Sequence, residues 1–112
     1  MKILRILALP LFALALQAGT PGGAITLTEH NGYFSAKETL AGLSAGEFSV
    51  TVENKSGKLA GFQLQSVATG KTLEKFPLKP GERRTIKLAL EPGDYRYRCP
   101  INPTPWYEFS VE

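Results

Sequence analysis

From Ile25 to Val111 the apolar residues recur at every second position, and proline or glycine interrupts the pattern at roughly ten-residue intervals. Period two is the repeat of a β-strand, whose successive side chains point to opposite faces, whereas a helix needs about 3.6 residues per turn and no stretch here supplies that spacing. Ile25 and Leu27 alternate with Thr26 and Thr28 in a first strand that ends near Glu29-His30, with Asn31-Gly32 as a turn signal. Phe48, Val50 and Val52 alternate with Ser49, Thr51 and Glu53, and Asn54 to Lys58 breaks that strand. Phe62 and Leu64 continue past Gly61. Leu73 to Leu78 is a weaker strand limited by Pro77, and Lys79-Pro80-Gly81-Glu82 is a turn before Ile86, Leu88 and Leu90. After Glu91-Pro92-Gly93-Asp94, Tyr95, Tyr97 and Cys99 share one face opposite Arg96 and Arg98, and Tyr107, Phe109 and Val111 form the last strand. Ala36 to Gly46 fits either a short strand or a single helical turn. About six to eight short strands with Pro/Gly turns predict an all-β fold, an antiparallel β-sandwich with Greek-key connections, over residues 25–112.

The first 24 residues do not share the alternation. Lys2 and Arg5 precede the run ILALPLFALAL, and small and polar residues follow from Gln17 to Ala24. That is the layout of a cleavable signal peptide, residues 1–24, with cleavage after Ala18 or Ala24. The run is interrupted by Pro10 and is about half of the roughly 20 residues that span a bilayer, so no membrane span is expected in the mature protein. A periplasmic location follows as the expectation. The whole chain carries 13 Lys+Arg against 10 Asp+Glu; without Lys2 and Arg5 this becomes 11 against 10, a net charge of +1. No basic field remains to attract nucleic acid, and Arg83-Arg84 and Arg96/Arg98 read as solvated strand faces. One cysteine cannot form an internal disulfide, so an exported domain of this kind is held by its core alone.

The segment Gly93-Asp94-Tyr95-Arg96-Tyr97-Arg98-Cys99-Pro100 resembles the cupredoxins, exported Greek-key sandwiches that hold copper at one end. Phe48 to Asn54 is similar to the family's V-x-V-x-N strand and Leu78 to Glu82 to its P-G-E turn, so the resemblance covers most of Ile25 to Glu112. It implies a cupredoxin-like domain with Cys99 as the principal ligand. A blue-copper site needs two imidazoles beside the thiolate, usually with a weak axial thioether. The resemblance would place one His near Ala60 or Gly61, and the other with a Met between Cys99 and Val111. Neither region supplies them: the only His is His30 and the only Met is Met1.

Cys99 followed by Asn102-Pro103 resembles, more narrowly, the small periplasmic cupredoxin-like proteins of bacterial iron-uptake systems, where carboxylates and a second Cys near the first strand serve as ligands. That resemblance implies a copper or iron ion and an accessory role in ferrous-iron uptake, by iron oxidation or hand-over. The implied partners are a membrane iron permease and other periplasmic uptake components. Cys99 and His30 are the expected metal ligands.

Each of these residues also has a plainer reading. Cys99 is equally a small buried hydrophobe at a strand end, and a lone His30 is an ordinary surface residue. Glu29, Glu53 and Glu108 are candidate oxygen ligands; Glu53 and Glu108 occupy outward strand positions and read as solvated carboxylates. Trp106 and Tyr107, in the proline-rich loop, offer a docking surface, with alternation drawing Tyr107 toward the core; a metal-free interaction module built on these two residues is the alternative function. Tyr97, two residues before Cys99, is expected to return a tyrosine-corner hydrogen bond to the preceding turn. No Ser/His/Asp arrangement, spaced carboxylate pair or phosphate loop is present, so a stand-alone hydrolase or nucleotide enzyme is not expected.

Overall fold

The structure, a computed structural model, describes residues 22–112; most of the expected export signal therefore lies outside the described residues. Eight strands are present: β1 (Gly22–His30), β2 (Tyr33–Ala36), β3 (Gly46–Asn54), β4 (Ala60–Ser66), β5 (Thr72–Leu78), β6 (Arg83–Leu90), β7 (Gly93–Arg98) and β8 (Tyr107–Val111). They form two four-stranded sheets, ordered β2-β1-β3-β6 and β5-β4-β7-β8. The all-β sandwich expected from the alternation is thus the fold found. Among the described residues, Gly22 to Ala24 also pair with Glu47 to Ser49, in the same strand as Ile25.

All strand pairs are antiparallel except β1 and β3, which run parallel with Glu29 opposite Asn54. Parallel neighbours need a long crossover. Here the crossover comprises β2 and the irregular segment 37–45. That segment, undecided from sequence, is tied down at both ends: the Lys37 N–H donates to Thr26 O, and Leu43 and Ala45 exchange main-chain bonds with Glu112. Beside Lys37, the Glu38 carboxylate accepts from the Thr26 N–H at 2.6 Å.

The face-in residues of both sheets close over one core. Leu27, Phe48, Val52, Phe62 and Leu78 are each less than 2% exposed. Each such side chain contributes about 1.5–3 kcal/mol through removal from water, which is how a domain without a disulfide is stabilised. Near the Cys99 end the core is aromatic: Tyr97 stacks on Tyr107 with ring centres 5.3 Å apart, and Phe34 meets Tyr97 edge-on at the same distance. Burial in this cluster, with a smaller contribution from neighbouring Tyr107, pushes the Tyr97 hydroxyl up to about 12. Pro77 costs little because β5 is an edge strand, where a missing N–H removes no ladder bond from a central position.

The tyrosine corner is made by a different residue from the one expected. Tyr95, not Tyr97, donates its hydroxyl to Glu91 O at 2.7 Å. Tyr97 points to the same core but lies one strand repeat farther from the turn, too deep in the aromatic cluster to reach back.

Candidate functional site

Cys99 follows β7 directly and keeps the inward orientation of Tyr95 and Tyr97; it is fully buried and forms no disulfide. Pro100 ends the strand because it has no N–H to continue the ladder. The chain then folds back so that the Asn102 N–H donates to Cys99 Sγ at 3.3 Å.

This loop is fastened to the β1–β2 hairpin. Asn31 and Gly32 form the turn with φ of 52° and 90°, the left-handed values that a tight hairpin needs. Asn102 Nδ2 donates to Asn31 O at 2.8 Å, and Thr104 Oγ1 donates to Gly32 O at 2.7 Å. A Cβ on Gly32 would lie 2.5 Å from Asn102 O, so this contact requires glycine. Two segments about 70 residues apart in sequence are thereby held at one end of the sandwich.

The consequence for β1 is decisive. Its alternation places Ile25, Leu27 and then Glu29 on the inner face, and Glu29 is fully buried. Its main chain is fixed by the Lys55 N–H, which donates to Glu29 O at 2.9 Å, and by the parallel register with Asn54. Asn54 is itself a buried hub: it donates to Lys58 O and Leu78 O and accepts from the N–H and hydroxyl of Ser56. The Glu29 side chain faces the Cys99 thiol and the Gly61 N–H, yet neither carboxylate oxygen closes a properly directed hydrogen bond.

Buried carboxylates without partners are uncommon, because the desolvation of the ionised form is uncompensated. Burial holds the Glu29 carboxyl above the usual range, opposed weakly by Cys99 and Gly61. Burial also pushes the Cys99 thiol up; Glu29 adds to this, while the Asn102 and Ile101 N–H groups oppose it. Both shifts therefore act against the ionised forms in the metal-free protein. A cation between them would compensate the two charges at once and release protons on binding.

Glu29, one of the candidate oxygen ligands, lies inside, against Cys99. Its orientation was legible, since extending the Ile25/Leu27 alternation by one repeat turns it inward. Glu53 is half-buried and Glu108 exposed, both on outer positions. His30 sits at the same end of the sandwich, but it is exposed and on the opposite face of β1 from Glu29. Among the described residues, no three His, Cys, Asp or Glu side chains converge closely enough to hold a metal together.

Gly61 is buried; a Cβ there would face Phe76 O, Ile101 and Pro100, so its contribution to the site is its N–H alone. Tyr107 faces inward and its hydroxyl accepts from the Phe34 N–H at 3.0 Å. Trp106 lies instead on the outer face of the second sheet, close to Arg96 and Arg98.

No protein-family model and no curated protein matches the chain. Among solved structures it is similar to a novel purple cupredoxin from Nitrosopumilus maritimus, with 23% identity, coverage of 78% of this chain and 77% of that one, and a TM-score of 0.44. It is also similar to Lac15 from a marine microbial metagenome, with 17% identity over 95% of this chain but 31% of that one, and a TM-score of 0.49.

Proposed function

We propose that this chain is an exported cupredoxin-like protein that binds a single metal ion through the Cys99 thiolate and the Glu29 carboxylate. The observation that carries the reading is a fully buried carboxylate, unpartnered at both oxygens, aimed at a fully buried thiol. The donor set does not fit blue copper, which requires two imidazoles. It fits an ion that accepts one soft and one hard donor, with thiolate softness favouring Cu(I) and the carboxylate admitting Fe(II).

The setting we propose is the periplasm, with the protein holding copper or iron as an accessory of ferrous-iron uptake and handing it on beside a membrane iron permease. What supports that setting is the resemblance of Cys99 with Asn102-Pro103 to the iron-uptake cupredoxins, together with the signal-like layout of residues 1–24. In this role Cys99 and Glu29 bind the ion, the Asn102 N–H orients the sulfur, and the hairpin turn at Asn31-Gly32 keeps the two donors together.

Titration of Cu(I) and Fe(II) into the protein against a chromophoric chelator tests the reading. One equivalent should bind, with affinity falling at least about tenfold in Glu29→Gln and about a hundredfold or more in Cys99→Ser, as loss of a direct ligand requires. Binding that survives both substitutions unchanged would reject it.

A further inference from the structure

A second cluster lies on the outer face of the β5-β4-β7-β8 sheet and takes no part in the thiol site. The register places Lys75, Gln63 and Arg98 in one row across the strands, and Thr72, Gln65, Arg96 and Glu108 in the next. The Arg96 and Arg98 guanidinium carbons lie 4.4 and 4.1 Å from the Trp106 ring. These arginines were expected to be a solvated strand face; instead they are half-buried against the indole.

Arg96 donates Nε and Nη2 to Gln65 Oε1 at 3.1 and 3.0 Å. Arg98 Nε is buried and meets no acceptor. The ion pairs among the described residues are Lys55–Glu53 and Arg84–Glu82, so neither Arg96 nor Arg98 has a carboxylate partner.

Two guanidinium groups on one indole repel each other, and stacking fixes their planes; Gln65 occupies the Nε/Nη2 edge of Arg96, whereas the Arg98 donor edges meet no acceptor among the described residues. Such edges match a carboxylate, which accepts two parallel N–H bonds. Arg96 and Arg98 are two residues apart on β7, hence about 7 Å apart, the spacing of same-side carboxylates on an extended chain. Lys75 extends the positive row and borders a shallow depression formed with Phe76, Pro77, Pro100 and Ile101, so an occupant of this face reaches the loop after Cys99.

We propose that Arg96, Arg98 and Trp106, with Lys75 at the rim, form a docking face for an acidic polypeptide segment that pairs its carboxylates with the two guanidinium groups. Charge complementarity identifies the occupant. A lipid surface is held by clusters of about four to eight basic residues, whereas here Glu108 stands in register beside Arg96 and interrupts the field. The proposal rests on the outer face alone and is independent of metal binding.

Trp106 is the only tryptophan in the chain, so its emission reports this face directly. A hexaglutamate peptide titrated into the folded protein at low salt should change that emission saturably. The affinity should weaken at least about tenfold in Arg98→Gln, about threefold in Lys75→Glu, and on raising the salt. Hexalysine and phosphatidylglycerol vesicles should give no saturable change. Lys75 is exposed, so its charge reversal tests the face even where Arg98→Gln unfolds the protein. The proposal is overturned by hexaglutamate that fails to saturate, by affinity that neither Arg98→Gln nor Lys75→Glu lowers, or by vesicles that bind in place of the peptide.

Discussion

Replacing Glu29 with Gln should stabilise the metal-free protein at neutral pH and leave it unchanged near pH 4. Gln keeps the shape of the side chain and a carbonyl oxygen facing the Gly61 N–H, and it removes the ionisable group. The sign follows from the direction of the shift. Burial raises the Glu29 carboxyl in the folded state above its ordinary value of 4.5. The folded protein therefore binds the proton more tightly than the unfolded chain does. Wild-type stability is fullest below pH 4.5 and declines as the pH rises toward the folded value, by about 1.4 kcal/mol per pH unit.

From 4.5 to 7 is 2.5 pH units, which caps the loss at about 3.4 kcal/mol however high the folded value lies. An unpartnered buried acceptor costs about 1–3 kcal/mol, inside that cap. The gain for Glu29→Gln at pH 7 should therefore be about 1–3 kcal/mol. Each kcal/mol raises Tm by about 4–8 °C for a domain of this size. Thermal melts of both proteins in chelator-treated buffer at pH 4, 5, 6 and 7 measure it. The two curves should meet at the acid end and diverge toward neutrality. A variant less stable than wild type at pH 7, or a gap of constant size across the series, would refute the reasoning.

Three further outcomes follow from the same geometry. Tyr95→Phe should cost about 1 kcal/mol in urea unfolding through loss of the bond to Glu91 O, whereas Tyr97→Phe, whose hydroxyl bonds no described residue, should cost less. Asn54→Ala should cost about 2–4 kcal/mol by the same measurement, because it leaves Lys58 O, Leu78 O and the Ser56 N–H without their partner. Cys99 in the metal-free protein should resist iodoacetamide at pH 8 and react only as fast as the fold opens, since the thiol is buried and burial holds it protonated; immediate stoichiometric labelling would contradict its placement.

Much of the fold was legible because alternation is a local signal. The inward faces of β3, β7 and β8 are those that the residues dictate, and Asn31-Gly32 makes the hairpin that its chemistry demands. What was not legible is non-local. Nothing in β1 alone announces a parallel partner, since that pairing depends on how segment 37–45 crosses to β3. The tyrosine corner fell to Tyr95 because distance from the turn, not distance from Cys99, determines which hydroxyl reaches Glu91 O.

The candidate site was half legible. Cys99 was identified from its position after the Tyr-x-Tyr strand, whereas Glu29 was one of three candidate carboxylates, named by its residue type and not by its register. The strand pattern carried the correct orientation; what it lacked was the loop that brings Cys99 over the end of β1. That contact is secured by Asn102 and Thr104 reaching the hairpin turn, an arrangement no local periodicity encodes.

The central claim is that one metal ion is held between Cys99 and Glu29. X-ray absorption at the copper edge of the Cu(I)-loaded protein tests it most directly. One sulfur and at least one oxygen or nitrogen scatterer of carboxylate type are predicted around copper, with the light-atom contribution reduced in Glu29→Gln. A sulfur-free shell, or the multiple-scattering pattern of an imidazole from His30 in place of the carboxylate, would contradict it.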